Sequence, residues 1–397
     1  MGSVNPKQKS LAFLQDAFKS YYATQQPKLP DRFSRREFAF VFFEGKGMLR
    51  HLSFTRKNDI QSFLTKRAPS HAYYSTAFYQ HPDAPTMKEK TWMGAELIFD
   101  LDADHLPNAE EIPYEQQLAL VKKEFIKLVE DFLLNDFGFD EKDLDLYFSG
   151  GRGYHCHVND PRIYQLNSGE RREIVDYIIG RNLNEHLVFH KQSMGRMQIK
   201  GKTVSTGTTL KMPSLDEPGW RGRISRGLID IIEEIIQSET PIEQLKTYGV
   251  SKESAEKLLE DLSVERLERI KQGHLDQSTA IRKFFLNRAL RKTAVSYASG
   301  ETDEPVTCDV KRLIRLPLSL HGKTGLQVTP VDLDDLKTFD PLLDTIVFSE
   351  NPVMIRLTVP YQIRMKKEDF HLKEGSQEVP EYLAVFLIGK RLAVIDQ

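Results

Sequence analysis

The run Leu97-Ile98-Phe99-Asp100-Leu101-Asp102 sets two carboxylates among bulky apolar residues. Side chains alternate along a strand, so Asp100 and Asp102 share one face while Phe99 and Leu101 turn to the core. Two carboxylates on one face repel each other unless a cation sits between them. Such a pair, with coordination positions left open, suits Mg²⁺ or Mn²⁺, which keep water or phosphate oxygens on the rest of their shell. That is the layout of a two-metal phosphoryl-transfer site. The run alone fits equally a strand end that surfaces with two solvated acids, because Asp-x-Asp is short and common.

A second run, Ser149-Gly150-Gly151-Arg152-Gly153-Tyr154-His155-Cys156-His157, carries three glycines in five residues. Glycines let the backbone pass close to a ligand and present its N–H groups. Arg152 adds a bidentate partner for phosphate. The strand that follows sets His155 and His157 on one face and Cys156 on the other. No nearby cysteine completes a zinc set, so phosphate is the better ligand. A tight hairpin with incidental polar residues is the bland alternative.

The third run extends from Cys308-Asp309 through Arg315 to Ser319-Leu320-His321-Gly322-Lys323-Thr324-Gly325. In an extended stretch Ser319, His321 and Lys323 share a face and offer a hydroxyl, an imidazole and an ammonium to an anion. A solvated basic strand would look the same. Three separated segments, each with metal-type or phosphate-type groups, make coincidence harder to sustain.

The elements that must position these runs are legible in outline. Residues 8–22 carry Leu11, Leu14, Phe18 and Tyr22 at helical spacing, and residues 115–134 carry Leu118, Val121, Phe125, Leu128 and Phe132 likewise. Residues 36–55 read as strands around a Gly45–Gly47 turn. Tyr147-Phe148 and Tyr154–Val158 flank the glycine turn as a hairpin. Near residue 225 the composition shifts. Residues 228–298 read as short helices, with starts at Thr240-Pro241, Ser251 and Ser263. Strand-like sequence returns over 310–328 and 353–359. The expected organisation is one domain from 1–225 and 300–397, with a helical subdomain over 226–299.

The chain has 397 residues and a formal net charge of −2, so contact with nucleic acid must come from a local basic patch. Cys156 and Cys308 are the only cysteines, too few for a disulfide framework or an iron–sulfur cluster. No stretch approaches the length of a membrane-spanning helix and no apolar signal core is present, which predicts a cytoplasmic protein without membrane contact.

Together, the Asp-Leu-Asp strand, the Ser-Gly-Gly-Arg-Gly-Tyr-His turn and the Asp309…Arg-Leu-Pro-Leu-Ser-Leu-His-Gly-Lys-Thr-Gly run resemble, in that order, the small catalytic subunit of archaeal and eukaryotic DNA primase. Arg35-Arg36-Glu37-Phe38-Ala39-Phe40 looks like that family's N-terminal motif. The likeness spans roughly residues 10–390 and is nearer to archaeal members. It implies an α/β (α+β) primase-polymerase catalytic fold with mixed sheets and an inserted helical subdomain. It implies that Asp100, Asp102 and Asp309 are catalytic and hold two Mg²⁺ or Mn²⁺ ions. It also implies that Ser149, Arg152, His155, Arg315, Ser319, His321, Lys323 and Arg36 line the nucleotide site, with Lys323 the least defined of them. Asp104 would be a strand-end acid and not a ligand. The implied partners are a large primase subunit in a heterodimer, a single-stranded DNA template and nucleoside triphosphates.

One departure stands out. Many members carry a zinc knuckle after the first motif, whereas residues 104–114 contain no cysteine and only His105. No structural zinc is therefore expected. The implied reaction is attack of a 3′-hydroxyl on the α-phosphorus of a triphosphate, with pyrophosphate leaving. Two other enzymes share parts of the pattern: a related repair primase-polymerase, and a DxD glycosyltransferase that binds a nucleotide sugar through metal. The second would need neither Asp309 nor the Ser319–His321 run.

Overall fold

The computed structural model describes residues 5–105, 111–183, 190–193, 195–199, 202–205, 208–275 and 304–396. The chain divides into two compact units. The first comprises Met1–Val129, Phe139–Val175 and Gly300–Gln397, and the second Glu130–Gly138 and Asp176–Ser299. The break expected at 225/226 falls inside one helix, Gly219–Gln237, whose apolar stripe of Ile224, Leu228, Ile232 and Ile235 runs unbroken past it. A composition shift within a continuous buried stripe does not end a domain.

Two four-stranded antiparallel sheets carry the first unit. One contains β1 (Phe38–Val41), β2 (Leu49–Leu52), β3 (His71–Ser75) and, far along the chain, a strand at Leu313–Arg315, in the order Leu313–Arg315, β3, β1, β2. The other contains β4 (Leu97–Asp102), β5 (Leu144–Phe148), β6 (Gly153–Val158) and the strand Thr329–Val331, in the order Thr329–Val331, β5, β6, β4. β5 and β6 form the expected hairpin around the glycine turn. β4 departs from simple alternation. Leu97 through Phe99 are all buried, Ile98 included, and only Asp100 and Asp102 open toward solvent. Both faces of the strand are covered at its start, and one is uncovered at its end.

Helices back these sheets. α1 (Pro6–Thr24) begins at Asn5, whose side chain accepts from Lys7 N–H, and buries Leu14, Phe18, Tyr21 and Tyr22. α2 (Lys57–Arg67) packs on it, Gln61 and Thr65 both donating to Tyr22 O. α3 (Tyr114–Lys127) lays Leu118, Val121 and Phe125 against β4 and β6, with Phe125 stacked on Tyr154 at 5.2 Å. Its chain continues as π-type helix over Leu128–Asp136. α4 (Glu304–Cys308) lies along β4. α5 (Glu381–Gly389) buries every residue from Tyr382 to Ile388.

The stretch 310–328 is less regular than its sequence suggests. Only Leu313–Arg315 is a strand there, and turns interrupt the chain at 317–318 and 322–324. In the second unit, Ser251 and Ser263 accept from Ser254 N–H and Arg266 N–H and so start helices Lys252–Asp261 and Val264–Lys271. The helices expected over 276–298 lie outside the described residues. Among the described residues no helix is long and apolar enough to cross a membrane.

Candidate active site

The β4–β6 register sets Asp100 opposite His155 and Asp102 opposite Gly153. His155 is buried, and its Nε2 stands 3.2 Å from Asp100 Oδ1. Burial alone would raise the Asp100 carboxyl. His155, with the charges of Arg312 and Arg315 behind it, outweighs that and holds Asp100 below the usual carboxylate range. Asp102 shifts the other way. Burial raises it, and the Asp104 N–H and the Arg152 charge only partly offset burial and the charges of Asp100 and Asp104. The pair is thus unequal, with one carboxylate pinned ionised and its neighbour easier to protonate.

Asp104 does not continue the strand. The chain turns into a 3₁₀ segment at Ala103–His105, where Asp104 N–H donates to Asp102 Oδ1 at 3.0 Å and its carboxylate holds the Arg152 guanidinium. Arg152 Nη2 is 3.7 Å from Asp102, so this arginine stands over the open side of the pair. The loop 104–114, expected to fold without zinc, lies in part outside the described residues.

The glycine turn is shaped from within. Ser149 Oγ accepts from the N–H groups of Gly151 and Gly153, both at 3.2 Å. Those two donors are taken by the serine, and Ser149 acts here as the turn's internal clamp. A Cβ at Gly153 would collide with the Leu101 carbonyl oxygen. Gly150 has φ +74°, and a Cβ there would sit 2.9 Å from His321 Cβ. The second glycine requirement comes from the third sequence run, which packs directly on the turn.

In that run His321 is buried and fixed. Thr324 Oγ1 donates to Gly150 O at 2.5 Å and lies 3.2 Å from His321 Nδ1. The threonine's single proton is committed to Gly150, so His321 Nδ1 is the donor to it and Nε2 is left as an acceptor. Burial, then the charges of Arg315, His71, Lys323 and Arg152, push His321 well below its ordinary value. Arg315 Nη1 donates to His71 Nδ1 at 2.8 Å, and Gly322 N–H donates to the same nitrogen at 3.3 Å. The His71 and His321 rings meet edge to face at 4.9 Å. Lys323 is exposed beside them.

Ser319 is not in this group. Leu318 takes φ +57°, the chain turns, and the buried Ser319 hydroxyl donates to Leu316 O at 2.6 Å. The shared face expected of Ser319, His321 and Lys323 needs an extended chain that the turns remove. Arg36 is also elsewhere. It is fully buried, paired with Glu96, and donates to the carbonyl oxygens of Asp31, Ser75 and Thr76. His157 faces the same Glu96 at 3.6 Å and Tyr74 at 3.1 Å. Arg36 and Glu96 form a buried ion pair with His157 beside it, and His157 lies two residue pairs along the register from Asp100 and His155.

Asp309 follows α4, which packs along β4. Its exposed carboxylate accepts from Lys311 N–H at 2.9 Å. Among the described residues no three His, Cys, Asp or Glu side chains are drawn into a metal-holding cluster, so the structure brings Asp100 and Asp102 together and leaves Asp309 outside a shared cage. The donor set still fits a hard divalent cation. Asp100 Oδ1 is buried with no hydrogen-bond donor in proper geometry, and Asp102 beside it is part-exposed.

Two groups had no signal in the sequence as site residues. His71 carries Arg315 and touches His321, yet lies far from all three runs. Lys390 ends α5 and sets its Nζ 3.8 Å from the centre of the Tyr114 ring, whose hydroxyl donates to Gly151 O. Only the folding of distant segments brings either to the turn.

Residues 99–333 match the sequence family described as "DNA primase small subunit". Over 391 residues the chain is 42% identical to "DNA primase small subunit PriS" of Methanococcoides burtonii, covering 97% of this chain and 98% of that one. It is 40% identical over 398 residues to the protein of that description from Methanothrix thermoacetophila, covering 98% and 99%. It is 38% identical over 388 residues to the one from Picrophilus torridus, covering 94% and 95%.

Proposed function

The chain belongs to the DNA primase small-subunit family, and on that premise we propose that the region around Asp100, Asp102, the glycine turn and the His321 segment is where it joins nucleotides. It is a primase catalytic subunit and works in the priming of DNA synthesis. Neither a repair polymerase nor a glycosyltransferase finds support among its relatives. The observation that carries the site is the convergence of the three segments. Asp100 is pinned by His155, Asp102 lies open beneath Arg152, and His321 is clasped to the glycine turn.

In the proposed reaction a 3′-hydroxyl attacks the α-phosphorus of a nucleoside triphosphate and pyrophosphate leaves. Asp100 and Asp102 would hold the divalent cations, and the family resemblance adds Asp309 as a third ligand. Mg²⁺ or Mn²⁺ held there would activate the hydroxyl and stabilise the leaving pyrophosphate. His155 keeps Asp100 ionised and fixed. Arg152 can exchange Asp104 for a phosphate oxygen, since both are anionic acceptors. Arg315, held by His71, and Lys323 supply further positive charge where the triphosphate would lie. His321 presents Nε2 as an acceptor, so it becomes a donor to phosphate only by taking up a proton, which the triphosphate's negative charge favours.

Single-stranded DNA as template, a large primase subunit as partner and a cytoplasmic location complete the reading. The nucleic-acid contacts would be to backbone and stacked bases. The test is primer synthesis on a single-stranded template, with ribo- or deoxynucleoside triphosphates, with and without a large subunit. Template-dependent, divalent-cation-dependent short products are expected. No template-dependent product under any combination would contradict the assignment.

A further inference from the structure

We propose that Lys390, at the end of α5, is a further binding residue for the polyphosphate of the incoming nucleotide. The proposal rests on reading that region as the triphosphate site, and it adds a group from a segment outside the three sequence runs. α5 is anchored by its fully buried Tyr382–Ile388 face. Its last residue, Gly389, lies against the turn that carries Lys323, and a Cβ there would sit 2.8 Å from Lys323 O. That backbone contact fixes where Lys390 begins. Its Nζ lies 3.8 Å from the Tyr114 ring centre and 5.0 Å from that of Phe386. Tyr114 in turn donates to Gly151 O, at the top of the glycine turn and next to Arg152. Lys390 and Arg152 therefore converge from distant parts of the chain, with the Lys323 backbone against the base of Lys390.

The charge balance at this point is what calls for a ligand. Among the described residues no carboxylate pairs with Lys390, and the charge that acts on it is the like charge of Arg152. Burial and that repulsion pull its ammonium down to about 8. A lysine at a helix C-terminus gains something from the last carbonyls and from an aromatic face. Neither gain requires it to be half-buried beside a second cation. A polyphosphate that takes the place of Asp104 on Arg152 would reach Lys390 as well, giving that lysine the anionic partner it lacks among the described residues.

The experiment compares the full chain with Lys390→Met, which keeps the stem and removes the charge, and Lys390→Arg, which restores it. Three readouts are needed: the nucleotide KM in primer synthesis, inhibition by inorganic tripolyphosphate, and single-stranded oligonucleotide affinity. For Lys390→Met the KM should rise about tenfold and tripolyphosphate inhibition should weaken by a similar factor, roughly the worth of one charge-assisted contact. Oligonucleotide affinity should hold, and Lys390→Arg should recover most of the loss. A KM and inhibition within about twofold of the parent would overturn the proposal. So would a loss confined to oligonucleotide affinity, which would give the lysine to the strand, or a loss that tracks thermal stability and is not rescued by arginine. Failure of the underlying site reading looks different, because the parent chain itself would then show no inhibition by tripolyphosphate.

Discussion

His155 Nε2 lies 3.2 Å from Asp100 Oδ1 because the β4–β6 register sets the two residues directly opposite each other. The imidazole is the neighbour that keeps a buried carboxylate ionised. His155→Ala removes it and leaves only the charges of Arg312 and Arg315 to offset the burial of Asp100, at a cost of about 1–3 kcal/mol. A divalent cation at the pair would return part of that. Thermal unfolding with and without Mn²⁺ should show a larger stabilisation by the metal in His155→Ala than in the parent. Equal stabilisation of both would mean the cation does not bind at Asp100.

The glycine turn makes a second prediction. Gly150→Ala meets a positive φ and His321 at 2.9 Å, and Gly153→Ala meets the Leu101 carbonyl. Gly150→Ala should cost about 2 kcal/mol or more and raise the nucleotide KM, since His321 must move. Gly153→Ala should disturb the Asp102 end of β4 and lower kcat. Denaturant midpoints and initial rates measure both. A fully active, fully stable Gly150→Ala would mean the His321 segment does not rest on the turn.

Acid should destabilise the fold through its neutral histidines. Burial, then Arg315 and Lys323, hold His71 down to about 3, and His321 is also held well below its ordinary value. In the unfolded chain both titrate near ~6.5, so the unfolded state binds more protons between that pH and the folded values. Stability is therefore complete above about pH 6.5 and declines as pH falls toward about 3, each histidine adding up to about 1.4 kcal/mol per pH unit. Urea unfolding at several pH values should show this slope. His71→Asn, whose amide oxygen can replace Nδ1 as acceptor, should flatten it by up to one proton. An unchanged slope would remove His71 as a contributor.

The carboxylate pair and the hairpin were legible because each depends on neighbours within a few residues. Alternation in β4 and the glycines between β5 and β6 carry their own geometry. Arg36 and Ser319 were not legible. Each belongs to a matching motif, yet Arg36 finds Glu96, the residue just before β4, and Ser319 is turned by the left-handed Leu318. His71 and Lys390 carry no local signal, since their neighbours lie hundreds of residues away and are set only by sheet order and by the packing of α5. Helix Gly219–Gln237 keeps its buried stripe across the point where overall composition changes.

The most direct test of the account is nucleotide addition by Asp100→Asn and Asp102→Asn. Each change removes ligand charge from a position that opens at the strand end, with little change in volume. Primer synthesis with Mg²⁺ or Mn²⁺, measured alongside thermal unfolding, should show addition reduced by roughly a thousandfold or more with the fold retained. Near-parental synthesis by either variant would contradict a metal-dependent reaction at this pair.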